Sequence, residues 1–241
     1  MDMRLWWTPD SVDPAALHGA VCAVTDALRA TTSIAAAVAA GAAAVVPFAR
    51  EGEARAWAAE HGALLAGERD CVAPPGFDLG NSPTTFAPDV VAGREIALWT
   101  TNGSRALAAA VAEAAAVVAF ALVNAAAVAG YLRAVRCRRL TIICAGTEGA
   151  FSLEDAFSAG ALIDRLVDRV DDPPVLDERA TAAHLLYRGG RDDPRAVFDS
   201  TAAAAKIRTR GLGGDVAYAA RPDVLDAAPV WRDGALRPFR T

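Results

Sequence analysis

Residues 20–40 read AVCAVTDALRATTSIAAAVAA, an apolar run followed by a short polar turn and a second apolar run. The first run, near residues 20–25, is short and does not alternate, which is typical of a strand buried on both faces. The second run, near residues 31–40, is long enough for a helix. A strand, a polar turn and a helix in this order form the repeating unit of an α/β fold.

The same alternation of apolar strands and helices extends along most of the chain. Strands are predicted near residues 20–25, 44–48, 63–66, 95–100, 116–122 and 139–144. Helices are predicted near residues 31–40, 51–61, 103–112, 125–136 and 154–169. We therefore predict an α/β protein with a mainly parallel sheet, helices on both faces and a helix-rich C-terminal segment.

One internal boundary is indicated by the sequence Asp171-Asp172-Pro173-Pro174. Beyond it the strand signal fades, and helical stretches near 176–188 and 195–207 precede a Gly-rich turn and a short tail. We predict an α/β catalytic core over residues 1–170 and a C-terminal segment over residues 171–241 that packs on it. A single domain over residues 1–241 is the alternative.

The composition excludes some classes of function. The chain has 241 residues, 54% of them hydrophobic, and a formal net charge of −5. This acidic balance argues against a nucleic-acid-binding protein, because phosphate backbones need a clustered basic excess, but it leaves a small anionic ligand open. Two uncharged stretches, residues 30–49 and 114–132, are as long as membrane spans. Both are Ala-rich and interrupted by Gly, Pro or Asn, so we predict buried core and no membrane partner.

The cysteines and the start of the chain bear on its compartment. Cys22, Cys71, Cys137 and Cys144 form no C-x-x-C pair and indicate no disulfide framework. No signal peptide is expected from the first residues. A cytoplasmic location is the simplest prediction, and a homodimer is a reasonable expectation for an enzyme of this size.

Polar side chains cluster directly after four of the predicted strands. They are Asp26, Arg29, Thr31 and Thr32; Glu68 and Arg69; Thr101, Asn102, Gly103, Ser104 and Arg105; and Gly146, Thr147 and Glu148. Ligands of open α/β sheets bind outside the carboxyl ends of the strands, where loops and helix N-termini offer free N–H groups. The pattern therefore predicts one binding site built from several loops.

The residue types in these loops suit metal-assisted phosphoryl chemistry. The carboxylates of Asp26, Glu68, Glu148, Glu154 and Asp155 suit Mg²⁺, which prefers oxygen ligands. Arg29, Arg69 and Arg105 offer paired N–H donors to phosphate, carboxylate or sulfonate oxygens. Each feature also has a structural alternative. Asp26 and Asn102 could only cap helices, and Glu154-Asp155 fit an ordinary helix start.

Five segments together resemble the 2-phosphosulfolactate phosphatase family, also called ComB. The segments are Asp26-Ala-Leu-Arg-Ala-Thr-Thr32, Ala66-Gly-Glu-Arg69, Gly76-Phe-Asp-Leu-Gly-Asn-Ser-Pro83, Thr100-Thr-Asn-Gly-Ser-Arg-Ala-Leu107 and Cys144-Ala-Gly-Thr-Glu-Gly-Ala-Phe-Ser-Leu-Glu-Asp155. The resemblance implies an Mg²⁺-dependent hydrolysis of (2R)-O-phospho-3-sulfolactate to 3-sulfolactate and phosphate, a step of coenzyme M biosynthesis. The expected partner is a small anionic phosphorylated substrate.

Roles for the site residues follow as hypotheses. Catalytic roles are expected for Asp26, Arg29, Glu68, Asn102, Arg105 and Glu148. Substrate binding is expected for Arg29, Thr31, Thr32, Arg69, Asn81, Thr101, Asn102, Gly103, Ser104 and Arg105. Mg²⁺ binding is expected for Asp26, Glu148, Glu154 and Asp155. Which carboxylate acts as general base, and whether the nucleophile is water or a side chain, stays open.

The sequence departs from the family pattern at three places. Ala27 replaces a larger aliphatic residue, Asp70-Cys71 stands where the family often has glycines, and residues 200–206 lack a Gly/Arg-rich character. The alternatives are a phosphatase of another small phosphorylated hydroxy acid, or a non-catalytic anion-binding protein on the same scaffold.

Overall fold

The computed structural model describes residues 1–167 and 174–239, and within them ten strands and ten α-helices. The strands are β1 (Asp2–Trp6), β2 (Val21–Thr25), β3 (Ala44–Phe48), β4 (Leu64–Gly67), β5 (Glu95–Trp99), β6 (Ala116–Phe120), β7 (Arg139–Cys144), β8 (Val175–Leu176), β9 (Pro229–Arg232) and β10 (Ala235–Pro238). The helices are α1 (Ala30–Ala39), α2 (Glu51–His61), α3 (Pro88–Val91), α4 (Gly103–Glu113), α5 (Ala125–Ala134), α6 (Leu153–Val167), α7 (Glu178–Gly190), α8 (Pro194–Asp199), α9 (Ala202–Thr209) and α10 (Gly213–Ala219).

All ten strands join one sheet in the order β4-β5-β3-β10-β9-β6-β2-β7-β1-β8. Two groups of parallel strands, β4-β5-β3 and β6-β2-β7-β1-β8, are joined by the antiparallel hairpin of β9 and β10. The prediction of an α/β fold with a mainly parallel sheet is confirmed.

Helices cover both faces of this sheet. Successive side chains of a strand point to opposite faces, so neighbouring residues of one strand pack against different helices. In β2, Cys22 and Val24 pack in the apolar cluster that contains α1 and α4. Ala23, between them, packs in the cluster that contains α5, α6 and α7. Both faces of β2 are therefore buried, which explains its unalternating apolar sequence.

The C-terminal segment contributes strands that the sequence pattern does not predict. β8 pairs with β1, itself an unpredicted strand. β9 pairs with β6 through Val118 and Val230, and β10 pairs with β3 through Val45 and Leu236. The fading strand signal beyond the double proline therefore misses β8, β9 and β10. The helical stretch predicted near 195–207 is divided into α8 and α9. The predicted end of α6 near residue 169 and the predicted boundary residues 171–173 lie outside the described part of the chain.

The hairpin of β9 and β10 also decides how the two parallel groups meet. Three successive antiparallel pairings separate β3 from β6, so the two groups run in opposite directions where they join. Helices α1 and α4 each contact strands of both groups. One helix layer thus packs against both groups, and the loops at the carboxyl ends of both reach one cavity.

The two uncharged stretches form separate elements, as predicted. Residues 30–49 contain α1 and β3, and residues 114–132 contain β6 and most of α5. Among the described residues, no helix has both the length and the apolar character needed to cross a membrane. All four cysteines carry free thiols, and Cys71 is the one that is not fully buried.

Candidate active site

A cavity of about 500 Å³ lies where the loops after β2, β4, β5 and β7 approach α9. Eight of the predicted site residues line it: Asp26, Arg29, Glu68, Arg69, Asn81, Thr101, Asn102 and Glu148. Carboxylates, guanidinium groups and amides from four strand ends thus face one space. The structure places these residues together, whereas their individual roles stay predictions.

Two predicted substrate-binding residues lie beneath the cavity wall. The Thr31 hydroxyl donates to the Asp26 carbonyl and accepts from the Asp26 amide, each at 2.9 Å. The Thr32 hydroxyl donates to the Ala27 carbonyl at 2.7 Å. Both threonines are fully buried and fix the shape of the turn that carries Asp26.

The start of α4 is held close to this turn. Ser104 is buried, and its Oγ accepts a 3.2 Å hydrogen bond from the Thr100 amide. A Cβ added to Gly103 would lie 2.8 Å from Asp26 Oδ2, which is closer than real Cβ atoms approach. Gly103 therefore lets the first turn of α4 approach Asp26 without blocking it.

Arg105 faces away from the cavity. Its side chain is 59% exposed and Nη2 lies 3.4 Å from Asp10 Oδ1. Arg105 is the third residue of α4, on a side of the helix that does not line the cavity.

Asp26 is the buried carboxylate of the cavity wall. Its Oδ1 accepts from the Ala30 amide at 3.3 Å, and within the described chain Oδ2 has no hydrogen-bond donor. Burial raises the pKa of Asp26 to about 7. The negative charges of Glu68 and Glu154 act in the same direction, and the Ala30 amide and Arg29 oppose them. Asp26 thus has a free oxygen and an electrostatic need for a positive partner.

Each carboxylate oxygen of Asp155 accepts a hydrogen bond from a backbone amide. Its Oδ1 accepts from the Ala27 amide at 2.7 Å, and its Oδ2 accepts from the Gly146 amide at 3.0 Å. It therefore ties the turn after β2 to the loop after β7. Burial raises the pKa of Asp155, and the charges of Asp26 and Glu154 raise it further.

Glu154 and Glu148 lie in different surroundings. Glu154 is buried but does not line the cavity, and burial raises its pKa. Glu148 stands on the rim with a side chain that is 77% exposed. The four predicted Mg²⁺ ligands therefore differ in their surroundings, from Asp155, which is buried and accepts from two backbone amides, to Glu148, which is exposed on the rim.

Glu68 joins the loop after β4, to which it belongs, to the loop after β5. Its Oε1 accepts from the Thr101 amide at 3.1 Å and the Thr101 hydroxyl at 3.0 Å. Its Oε2 accepts from the Cys71 amide at 2.9 Å. Glu68 therefore fixes the loops after β4 and β5 relative to each other.

Two residues of the C-terminal segment belong to the site but are absent from the predicted set. Lys206 of α9 lines the cavity, with Nζ at 3.4 Å from Asp70 and 3.9 Å from Glu148. Asp215 of α10 makes a buried ion pair with Arg29 at 2.6 Å. The signals available in sequence were weak: Lys206 is the chain's one lysine, and Asp215 follows the Gly-rich turn at residues 211–214.

The donor set of the cavity fits Mg²⁺ in its chemistry. Among residues 1–167 and 174–239, no group of three or more His, Cys, Asp or Glu side chains converges to hold a metal ion. Proteins usually bind Mg²⁺ through only one or two carboxylates, together with water and substrate phosphate oxygens. The free Oδ2 of Asp26, on a buried carboxyl group near two other carboxylates, meets that requirement.

Comparison with known proteins agrees with the site. The family model for 2-phosphosulpholactate phosphatase matches residues 6–234. A Deinococcus radiodurans protein named "Probable 2-phosphosulfolactate phosphatase" is 40% identical over 223 residues, covering 92% of this chain and 89% of that protein. Proteins with the same name from Synechococcus sp. (strain JA-3-3Ab) and Prochlorococcus marinus (strain MIT 9313) are 37% and 41% identical. These two matches cover 95% and 86% of this chain, and 95% and 87% of the relatives. The chain therefore belongs to the 2-phosphosulfolactate phosphatase family of phosphoric monoester hydrolases, as its sequence motifs predict.

Proposed function

We propose that the chain is an Mg²⁺-dependent phosphatase that hydrolyses (2R)-O-phospho-3-sulfolactate to 3-sulfolactate and phosphate, a reaction of the coenzyme M biosynthesis type. One observation carries the proposal: a cavity of about 500 Å³ in which cationic side chains and a buried carboxylate meet. The family membership supplies the substrate class.

The cationic groups suit a substrate with three anionic groups. Arg29, Arg69 and Lys206 come from three separate segments and line the same cavity. Guanidinium groups bind phosphate and sulfonate oxygens with paired N–H donors, whereas an ammonium group acts as a compact point charge. Phosphate, carboxylate and sulfonate could thus each be bound by a different side chain.

Asp26 would hold the metal ion through its free Oδ2, with Glu154 and Asp155 adding negative charge behind it. When bound, Mg²⁺ neutralises phosphate charge and favours attack by water. Asn102 offers its side-chain amide to phosphate oxygens, and Gly103, at the start of α4 close to Asp26, offers its backbone N–H. Glu68 holds the loop that carries Asn102.

Phosphate release tests this proposal. Purified protein is assayed on 2-phosphosulfolactate with Mg²⁺ and with a chelator, beside an Asp26→Asn variant. Asp223→Asn is a matched control, because Asp223 forms a 2.6 Å ion pair with Arg165 and does not line the cavity. We expect turnover that needs Mg²⁺ and Asp26 and tolerates Asp223→Asn. Full turnover by Asp26→Asn would refute the role of Asp26.

A second candidate is a phosphatase of another small phosphorylated hydroxy acid. The observation that favours it is the position of the departures from the family pattern, since Asp70, Cys71 and Lys206 all line the cavity. A panel of acid phosphates without a sulfonate group separates the two candidates by kcat/KM. Binding of phosphate without turnover on any member would indicate the anion-binding protein instead.

A further inference from the structure

Arg29 and Asp215 form a buried ion pair across the wall of the cavity. Arg29 Nη1 donates to Asp215 Oδ2 at 2.6 Å, and the two side chains are 3% and 4% exposed. Arg29 lines the cavity, whereas Asp215 does not. Asp215 therefore contacts Arg29 from outside the cavity lining.

The other oxygen of Asp215 is occupied as well. Ser82 Oγ donates to Asp215 Oδ1 at 2.6 Å, and Ser82 directly follows Asn81, which lines the cavity. Asp215 thus has a partner for each oxygen, one in the turn after β2 and one in the loop after β4. Its own position at the start of α10 is buried.

Two contacts fix the plane of the Arg29 guanidinium. Besides the bond to Asp215, Nη2 donates to the Cys71 carbonyl at 2.9 Å. A guanidinium has five N–H donors, so three remain for a ligand once these two are used. Because the group is planar and rigid, two anchored donors set the direction of the other three.

Stability alone does not account for this pair. Removing two charges from water costs free energy that their attraction often only offsets, and well-packed apolar residues can stabilise a protein as well. A buried carboxylate beside Arg29 also weakens the positive potential of an anion site. We propose that Asp215 is a positioning residue, which orients Arg29 toward the phosphoryl group during hydrolysis; the inference rests on the proposed function of this cavity.

A positioning role and a purely electrostatic role of Asp215 predict different effects on kcat. Asp215→Asn removes a negative charge near the cavity, so the affinity for inorganic phosphate stays equal or increases. The loss of orientation nevertheless lowers kcat, because a small misplacement of a catalytic group can slow a reaction by about 100-fold. We expect kcat of Asp215→Asn to fall between about 10-fold and about 100-fold.

A double-mutant cycle shows whether the effect passes through Arg29. The variants are Asp215→Asn, Arg29→Lys and both together, with Asp223→Asn as the control that breaks an ion pair outside the cavity. Once lysine replaces the guanidinium, Asp215→Asn should lower kcat by less than about 2-fold. Equal and additive losses in both backgrounds, or an unchanged kcat in folded Asp215→Asn, would overturn the proposal.

A spectroscopic measurement keeps the test independent of turnover. In ¹⁵N NMR spectra of the full chain, a fixed guanidinium gives separate Nη signals, and a freely rotating one gives an averaged signal. Arg29→Lys identifies the Arg29 signals. We expect separate signals in the wild type and in Asp223→Asn, and averaged signals in Asp215→Asn.

The activity and NMR measurements together distinguish a failure of the proposed phosphatase function from a failure of the positioning role of Asp215. If the wild type does not hydrolyse 2-phosphosulfolactate but the Arg29 signals average in Asp215→Asn, the proposed function fails and the anchoring of Arg29 stands. If the Arg29 signals are unchanged in Asp215→Asn, the positioning role is overturned whatever the activity. Should Asp215→Asn not fold, Ser82→Ala releases one of the two anchors of Asp215 and is expected to lower kcat several-fold at unchanged phosphate affinity.

Discussion

The Asp155 carboxylate accepts a 2.7 Å hydrogen bond from the Ala27 amide, although 128 residues separate the two in the chain. Through its second oxygen it also accepts from the Gly146 amide. Both contacts need an acceptor. In Asp155→Asn one amide would instead face the side-chain NH₂ group.

We therefore expect Asp155→Asn to lower the free energy of unfolding by about 1–3 kcal/mol, the usual effect of leaving a buried donor without a partner. It should also lower phosphatase activity, since the turn carrying Asp26 loses its tie. Urea denaturation followed by circular dichroism measures the first effect. A variant as stable as the wild type would show that Asp155 does not tie the two loops.

Asp26 should make the metal-free protein less stable as pH rises. Burial raises its pKa from 3.8 to about 7, so between these values the folded state binds more protons than the unfolded state. The free energy of unfolding then falls as pH increases through that interval. Asp26→Asn keeps the acceptor for the Ala30 amide and removes the titration.

In the presence of a chelator, Asp26→Asn should match the wild type in stability near pH 4 and exceed it at pH 8, where the buried carboxylate is ionised. Thermal melting at a series of pH values tests this. Parallel curves for the two proteins would contradict the assigned burial of Asp26. Adding Mg²⁺ at pH 8 should raise the melting temperature of the wild type and not that of the variant.

Backbone conformation explains why glycine suits the loop after β4. Asp70 and Cys71 have φ angles of 52° and 71°, in the left-handed region that non-glycine residues avoid. A β-branched side chain is the most strained there. We expect Cys71→Val to destabilise the protein by about 1–2 kcal/mol relative to Cys71→Ala, and Cys71→Gly, which has no Cβ, to be more stable than either. Denaturation midpoints of the three variants test this order, and equal midpoints would contradict it.

Lys206 should contribute to substrate affinity more than to turnover. Lys206→Met keeps the length of the side chain and removes the charge that faces the cavity. We expect KM for the anionic substrate to rise about 10-fold, equivalent to about 1.4 kcal/mol, with kcat little changed. Lys206→Arg, which restores a positive charge, should recover most of the affinity. An unchanged KM in the methionine variant would show that Lys206 serves only its pairs with Asp70 and Glu148.

Much of the fold can be predicted from sequence because β2, β6 and β7 are buried on both faces and therefore read as continuous apolar runs. The hairpin of β9 and β10 is harder to predict from sequence, since its strands have only four residues each. A signal was present: Asp233 and Gly234, both with positive φ, form the two-residue turn that favours Asp-Gly. Its insertion between β3 and β6 depends on long-range pairing that local patterns do not encode.

For the site, strand ends identify the loops but not the direction of each side chain. Arg29 and Arg105 both follow a strand, yet Arg29 is buried at the cavity and Arg105 is exposed beside Asp10. Asp155 has the residue type of a metal ligand, and only the three-dimensional structure shows that two amides occupy it. Asp215 lies 186 residues from Arg29, so their pairing has no local signature.

Whether this chain is an Mg²⁺-dependent 2-phosphosulfolactate phosphatase is decided by the initial rate of phosphate release from (2R)-O-phospho-3-sulfolactate by the purified protein, measured with Mg²⁺ and again with excess chelator. The proposed function predicts rapid release with Mg²⁺, and loss of that release both on chelation and in Asp26→Asn. Release at the same rate with chelator, or none under either condition while other phosphorylated hydroxy acids are hydrolysed, would contradict it.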